Sequence, residues 1–430
     1  MAKTSSPGWN AVRGYFSLDL SLRNIYDKLF LIILFVDVCL RAFNLDQPPG
    51  SLIFDEWYYV NVARVILRIP QSVGGNGQPP YVNVPPSLDP NHEHPPLAKL
   101  IIALSMHLFG NNGFGWRIPS VIFGTVAVLA FYLLMKRVTD FKSVPLIATF
   151  LFSFDNLVFV QSRIATLDIF ALAFMLLGLY WYFSGHSYLS AIGMALSALT
   201  KITGVAGFLI IVIMQAMKFA TGKQRGHSIS KFFSWFEKYF AVYVVCFFVL
   251  LTIMDRLWVG YTWPWEHIQY ILSYSSALVS KCPNGIISCP WQWLINQIQI
   301  PYLIVSVHVS GAVPRDYNSV AFWGEMNPAI LYLTIPVVLY AGYSYYQKKS
   351  DLTLLILVLF AVTYLPYYPA AIFGQRVTYL FYFLDTIPAI CAGIAFMIAD
   401  QNLPKLVVLT YLGVVLFLFF RMFPFPFMPF

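Results

Sequence analysis

Two adjacent carboxylates, Asp55 and Glu56 in Phe54-Asp55-Glu56-Trp57-Tyr58, follow the first long apolar run of the chain. Aspartate and glutamate together number only 19 of 430 residues, so a side-by-side pair at that place needs a cause. Adjacent acids repel, and each is costly near hydrocarbon. A helix start with acids at its positive dipole end is the structural alternative; general-base chemistry is the functional one. Three lone cations, Arg163, Lys201 and Arg376, stand at predicted helix ends, where an anchoring residue is more often Trp or Tyr. Cations at the head of a helix bundle suit a phosphate presented from a bilayer, and snorkelling to the interface is the plainer alternative. Carboxylates facing a phosphate site imply a group transfer. One acid takes the proton of an incoming hydroxyl, while the cations stabilise the departing phosphate of a lipid-linked donor.

The elements that must carry these residues are apolar helices. Hydrophobic residues make up 59% and charged residues 11% of the chain, against about 45–50% and 25% in soluble domains. That composition marks a polytopic membrane protein. The net charge of +8 does not point to nucleic acid, because the basic residues cluster in short connections between apolar runs, the pattern of cytoplasmic loops beside anionic lipid.

The first predicted span covers 28–43. Arg13, Arg23 and Lys28 precede or open it, so the N-terminus is expected to be cytoplasmic and Asp55 external. An external segment of about 46–116 follows, with a surface helix over 56–69 and an interfacial helix over 95–109, the latter short for a span of about 20 residues. Further spans are predicted over 117–136, 144–160, 167–183, 188–199, 203–218 and 239–258. A basic inside loop with Lys223, Arg225, Lys231 and Lys238 lies before the last of these. A second external segment covers about 259–326, and spans over 328–345, 352–368, 377–398 and 406–420 bring the C-terminus outside. The fold class is therefore an all-α polytopic membrane protein of about eleven spans. It is expected to form one integral membrane domain over residues 1–430, with no separate soluble domain.

At this point the chain resembles the dolichyl-phosphate-mannose–protein mannosyltransferases, of the GT-C glycosyltransferase fold. The resemblance rests on Phe54-Asp55-Glu56, His94-Pro95-Pro96-Leu97-Ala98-Lys99, Arg117-Ile118-Pro119-Ser120 and Ser162-Arg163-Ile164-Ala165-Thr166-Leu167-Asp168. It continues with Leu199-Thr200-Lys201-Ile202-Thr203-Gly204, Pro290-Trp291-Gln292-Trp293, Gly324-Glu325-Met326-Asn327-Pro328, and Arg376 with the aromatic run toward Pro388. Each motif alone is short; their order and their placement on one face make the match.

The resemblance implies an inverting transfer of mannose from a dolichyl- or polyprenyl-phosphate donor to Ser or Thr hydroxyls of an acceptor protein, at the external face of a membrane. It makes Asp55 the general base and Glu56 the group that orients acceptor or sugar. Arg163 and Arg376, with Lys201 sharing the role, would contact the donor phosphate. Arg117 would support the acidic pair and His94 the site. Asp168 either holds Arg163 or acts directly. Two departures, no long polar late loop that could hold a soluble β-trefoil insertion and Phe381-Tyr382-Phe383-Leu384-Asp385 where the family tends to have a His-Tyr run, point to a compact prokaryotic-type member.

Three further readings complete the set. No metal is expected to be essential, because Arg and Lys can neutralise the phosphate; a divalent cation on Glu93, His94 and His267 is the alternative. Cys282 and Cys289 bracket a turn-rich loop and form a disulfide if that loop faces an oxidising compartment. A transferase acting on a lipid or glycan is the second enzymatic reading. A transporter is the non-enzymatic one, favoured only by Asp155, which falls within a predicted span.

Overall fold

The computed structural model describes residues 24–221, 229–309 and 315–423. Arg13, Arg23, Lys223 and Arg225, on which the expected orientation leans, lie outside the described residues.

The chain begins with helix α1 (Ile25–Ala42), started by Asn24, whose side chain accepts from the Tyr26 amide. The segment after it holds two helices, α2 (Glu56–Leu67) and α3 (Leu97–Phe109), close to the two predicted there. The bundle is then built by α4 (Gly113–Val138), α5 (Val144–Ser153), α6 (Asn156–Gln161), α7 (Asp168–Phe183), α8 (Ser187–Thr200), α9 (Val205–Ala220) and α10 (Ile229–Met254). The second connecting segment carries α11 (Pro264–Ala277) and the short α12 (Pro290–Trp293). The chain closes with α13 (Pro328–Leu331), α14 (Thr334–Lys348), α15 (Asp351–Tyr364), α16 (Tyr367–Ile372), α17 (Ile387–Asp400) and α18 (Lys405–Met422).

Seven helical segments among the described residues are long and apolar enough to cross a membrane, and the protein is an integral membrane protein. The four other predicted spans are real helices that fall short by that measure. Helix α1 carries Asp27, Lys28, Asp37 and Arg41; α7 and α8 are 16 and 14 residues long; and the predicted span over 144–160 is broken. Small residues let α7 and α8 approach closely, since a Cβ on Gly193 would come within 3.1 Å of the Gly178 Cα, the means by which apolar helices pack where burial alone gives no driving force.

The break in the span over 144–160 is the work of Asp155. Its carboxylate caps α6, accepting from the Leu157 and Val158 amides at 3.0 and 3.1 Å, and it accepts from the Asn327 amide at 3.0 Å. The Asn327 side chain in turn donates to the carbonyl of Val415 at 2.9 Å and of Phe154 at 3.3 Å. A buried acid so fully engaged is a structural knot tying α5, α6, α13 and α18 together, so the residue that suited a transporter is accounted for by helix capping.

The all-α expectation also needs one correction. Within the segment over 259–326, β1 (Ile300–Val309) pairs antiparallel with β2 (Arg315–Gly324) from Ile300↔Gly324 to Val309↔Arg315, with an irregularity near Leu303. The run Ile300-Pro301-Tyr302-Leu303-Ile304-Val305 is rich in β-branched and aromatic residues, which favour a pleated strand. Gly324 stands beside the Tyr302 ring, where any Cβ would come within 2.5 Å of it.

Removing the Asn327 side chain should leave the Phe154 carbonyl and the Ala329 amide at the start of α13 without that partner. Asn327→Ala is therefore expected to lower stability by about 1–3 kcal/mol per group left unpaired, read as a lower thermal unfolding midpoint in detergent. An unchanged midpoint would show that the knot is dispensable.

Candidate active site

Glu56 is the first residue of α2 and is completely buried. Arg117, from α4, meets it as a fork, with Nε on Oε1 and Nη2 on Oε2, both at 2.8 Å. The two oxygens also accept from the Ile53 amide at 2.8 Å and the Ala165 amide at 2.9 Å. Arg117 places its remaining donors on the carbonyls of Leu45, Gln47 and Ser51. With every donor and acceptor occupied by protein, this bidentate pair is a frame. That corrects the expectation that Glu56 would touch acceptor or sugar, and it agrees with Arg117 as a support.

The frame holds a tight turn. Phe54, just before the pair, has φ +52°, a left-handed conformation costly for an aromatic residue and typical of functional sites. Its ring is kept there by a stack on Tyr302, centroids 4.6 Å apart, and an edge contact with Phe381 at 5.6 Å. The next residue is Asp55, whose side chain takes no part in the frame. Asp55 occupies the N-cap position of α2 yet makes no capping hydrogen bond with its side chain. Burial and the nearby Asp168 carboxylate, opposed by Lys201, push its pKa up to about 7.

Asp168 opens α7, and its carboxylate lies 2.6 Å from the Lys201 ammonium. Lys201 follows α8 in extended conformation and sits over the rings of Tyr382 at 4.8 Å and Phe381 at 5.1 Å. Burial works against its charge, but Asp168, Tyr382 and Asp385 outweigh it and raise its pKa. His94 lies within 6.3 Å of Tyr59, ring to ring. Burial together with Lys201, Lys99 and Arg376 drives its pKa well below the usual imidazole range, so it is neutral.

Arg376 reaches the site from the segment between α16 and α17. That loop is stitched to the second connecting segment: Val279 bridges Arg376, the Ser280 amide donates to the Gln375 carbonyl at 2.9 Å, and the Thr378 hydroxyl donates to the Ser288 carbonyl at 2.6 Å. The Cys282–Cys289 disulfide closes this segment, with Cα atoms 5.4 Å apart, so the cysteine pair forms part of the mount for Arg376. The Arg376 side chain is half-buried and donates from Nη1 to the Leu278 carbonyl at 3.3 Å.

The structure thus gathers Asp55, Asp168, Lys201, His94 and Arg376, and engages two other candidates, Arg163 and His267, elsewhere. Arg163 donates to the carbonyls of Leu40, Arg41 and Phe43 at 2.6, 2.8 and 2.7 Å. It caps the C-terminal end of α1 instead of facing a phosphate, and Asp168 accordingly pairs with Lys201 and not with Arg163. His267 has both ring nitrogens in use, Nδ1 with Asp255 at 2.7 Å and Nε2 with the His92 carbonyl at 3.0 Å, which removes it as a metal ligand. Among the described residues no group of three or more His, Cys, Asp or Glu is placed to hold a metal. Sequence reasoning missed Tyr302, Phe381 and Tyr382; the aromatic density around Arg376 was the available signal.

Comparison with known proteins returns the family read from the motifs. The model of the family described as dolichyl-phosphate-mannose-protein mannosyltransferase matches residues 93–258. The polyprenol-phosphate-mannose–protein mannosyltransferase of Corynebacterium glutamicum is 26% identical over 422 residues, covering 79% of this chain and 75% of the relative. The protein of the same name from Mycobacterium tuberculosis is 24% identical over 433 residues, covering 84% and 78%. Among solved structures, the S. cerevisiae protein O-mannosyltransferase Pmt1–Pmt2 complex bound to the sugar donor superposes with a TM-score of 0.68 at 11% identity, over 96% of this chain and 91% of that one. The fold is that of the GT-C glycosyltransferases.

The division between frame and site can be measured. Arg117→Met strands the buried Glu56 and should destabilise by about 3–5 kcal/mol, whereas Asp55→Asn should leave the thermal midpoint unchanged or higher, since a costly buried charge is removed. Equal losses in the two variants would contradict the division.

Proposed function

We propose that this chain is a mannosyltransferase that moves mannose from a polyprenyl-phosphate donor to Ser or Thr hydroxyls of an acceptor protein, with inversion. The observation that carries the reading is Asp55: an uncapped carboxylate with a pKa near 7, held beside a buried Lys201 and within the field of its Asp168 partner. A base whose pKa lies near the working pH combines a populated ionised form with real driving force for proton transfer. The names of the relatives supply the donor and the sugar, and the membrane fold supplies the setting.

In this mechanism the Asp55 carboxylate takes the proton of the acceptor hydroxyl. The freed oxygen attacks the anomeric carbon of mannose from the face opposite the phosphate. The bond between that carbon and the phosphate oxygen breaks, and polyprenyl phosphate departs with its negative charge met by Lys201 and Arg376. Neutral His94 stands near both cations and can donate or accept a hydrogen bond without adding charge. Lys201 and Arg376 supply the positive charge that a metal would otherwise bring, so no divalent ion is required and EDTA should leave transfer intact. The N-terminus lies on the cytoplasmic side, and the site and the C-terminus lie outside.

Labelled mannose on polyprenyl phosphate, offered with a Ser/Thr peptide, tests the assignment. Asp55→Asn should lower transfer by about 10²–10⁴-fold with donor binding retained, and undiminished transfer would refute it. The wild-type rate should plateau above pH 7 and fall about tenfold per unit below it, because the base works only when ionised and protonates as the pH drops through about 7. Label appearing only in glycolipid would move the acceptor from protein to lipid.

A further inference from the structure

Most buried acids near the site are matched to a cation: Glu56 to Arg117, Asp89 to Lys99 at 2.6 Å, Asp168 to Lys201, and Asp255 to His267. Glu93 is not. It is half-buried, makes no ion pair among the described residues, and leaves Oε2 buried without a hydrogen-bond partner there; Nδ1 of the adjoining His94 is left in the same condition. Buried polar atoms in that state are rare and ask what would satisfy them.

The surroundings of Glu93 answer in chemical terms. Burial and then the Glu93 charge raise the pKa of Tyr81, Tyr270 and Tyr274 alike, which keeps all three phenols neutral. Tyr274 lies close enough to feel the carboxylate, and its ring stacks on Tyr270 at 6.2 Å. Tyr58 joins the group from α2 and is 48% exposed, with Tyr270 at 40% and Tyr274 at 36%. A carboxylate at the base of a rim of accessible tyrosine rings is the chemistry that recognises an organic cation, through charge below and ring faces around it. The base is rigid, because Lys99 is buried, donates to the carbonyl of His94 at 2.9 Å and is ion-paired with Asp89.

The rim adjoins the reacting groups. Tyr58 and Tyr59 stand three and four residues after Asp55, on α2, and the charges of Asp55 and Asp168 both act on Tyr59. We propose that Glu93, with Tyr58, Tyr270 and Tyr274, forms a subsite for a lysine or arginine side chain of the acceptor polypeptide, next to the hydroxyl that Asp55 deprotonates. This inference rests on the transferase reading and deepens it. The enzyme would select acceptor residues that have a basic neighbour, and Glu93 would set that choice without touching the reacting atoms.

Peptides that place one lysine at successive positions around the acceptor Ser or Thr, each compared with a norleucine counterpart of equal length, test the subsite. Wild type should show a KM about tenfold lower for lysine at one favoured position. Glu93→Gln should bring that KM up to the norleucine value, with kcat, the norleucine KM and the donor KM unchanged. The same peptides labelled for fluorescence anisotropy without donor should show the same loss of charge selectivity. A wild type indifferent to lysine, or a preference that survives in Glu93→Gln, overturns the subsite. Absence of transfer to every peptide would sink the transferase reading instead, while the anisotropy comparison still decides the subsite by whether selectivity vanishes with Glu93.

Discussion

The buried fork between Arg117 and Glu56 is the constraint on which the site depends. Taking both charges out of water is expensive unless every lone pair and proton is matched, and here the match is complete. Through it α2, α4, the carbonyls of Leu45, Gln47 and Ser51, and the Ala165 amide meet at one point. Arg163, two residues before Ala165, then fixes the same loop to the end of α1. The strained Phe54 turn that aims Asp55 is affordable only because this assembly over-determines it.

The sequence and the structure agree on much of the fold for a simple reason. Apolar runs that must satisfy their own backbone in lipid have little choice but to be helices, so most of them could be read directly. Two failures are instructive. Apolar character alone predicts one continuous span over 144–160 and does not reveal that Asp155 caps a new helix. Its third partner, the Asn327 amide, is 172 residues away. The hairpin of β1 and β2 lies outside the all-α expectation, although its β-branched and aromatic run favours a strand.

At the site, residue types were legible but roles were not. Asp55 and Glu56 are indistinguishable by composition; they differ because one has four donors, three of them from distant segments, and the other has none among the described residues. Arg163 and Arg376 likewise look alike as lone cations at helix ends. Only the position of three α1 carbonyls turns the first into a cap, while the disulfide-closed loop leaves the second at the site. The residues that remain incompletely satisfied by the protein are the ones left to meet a substrate, and that property depends on tertiary contacts that no local pattern carries.

The long reach of the Glu56 contacts also bears on how the molecule is made. Arg117 lies 61 residues after Glu56 and Ala165 lies 109 residues after it. During synthesis the acid therefore emerges well before its partners. Until α4 and the loop ahead of α7 arrive, α2 cannot settle into its final place without burying an uncompensated charge. The N-terminal helices must accordingly wait, solvated and undocked, for the middle of the chain. A ribosome stalled between these points would display an assembly intermediate in which the turn that carries Asp55 is not yet set.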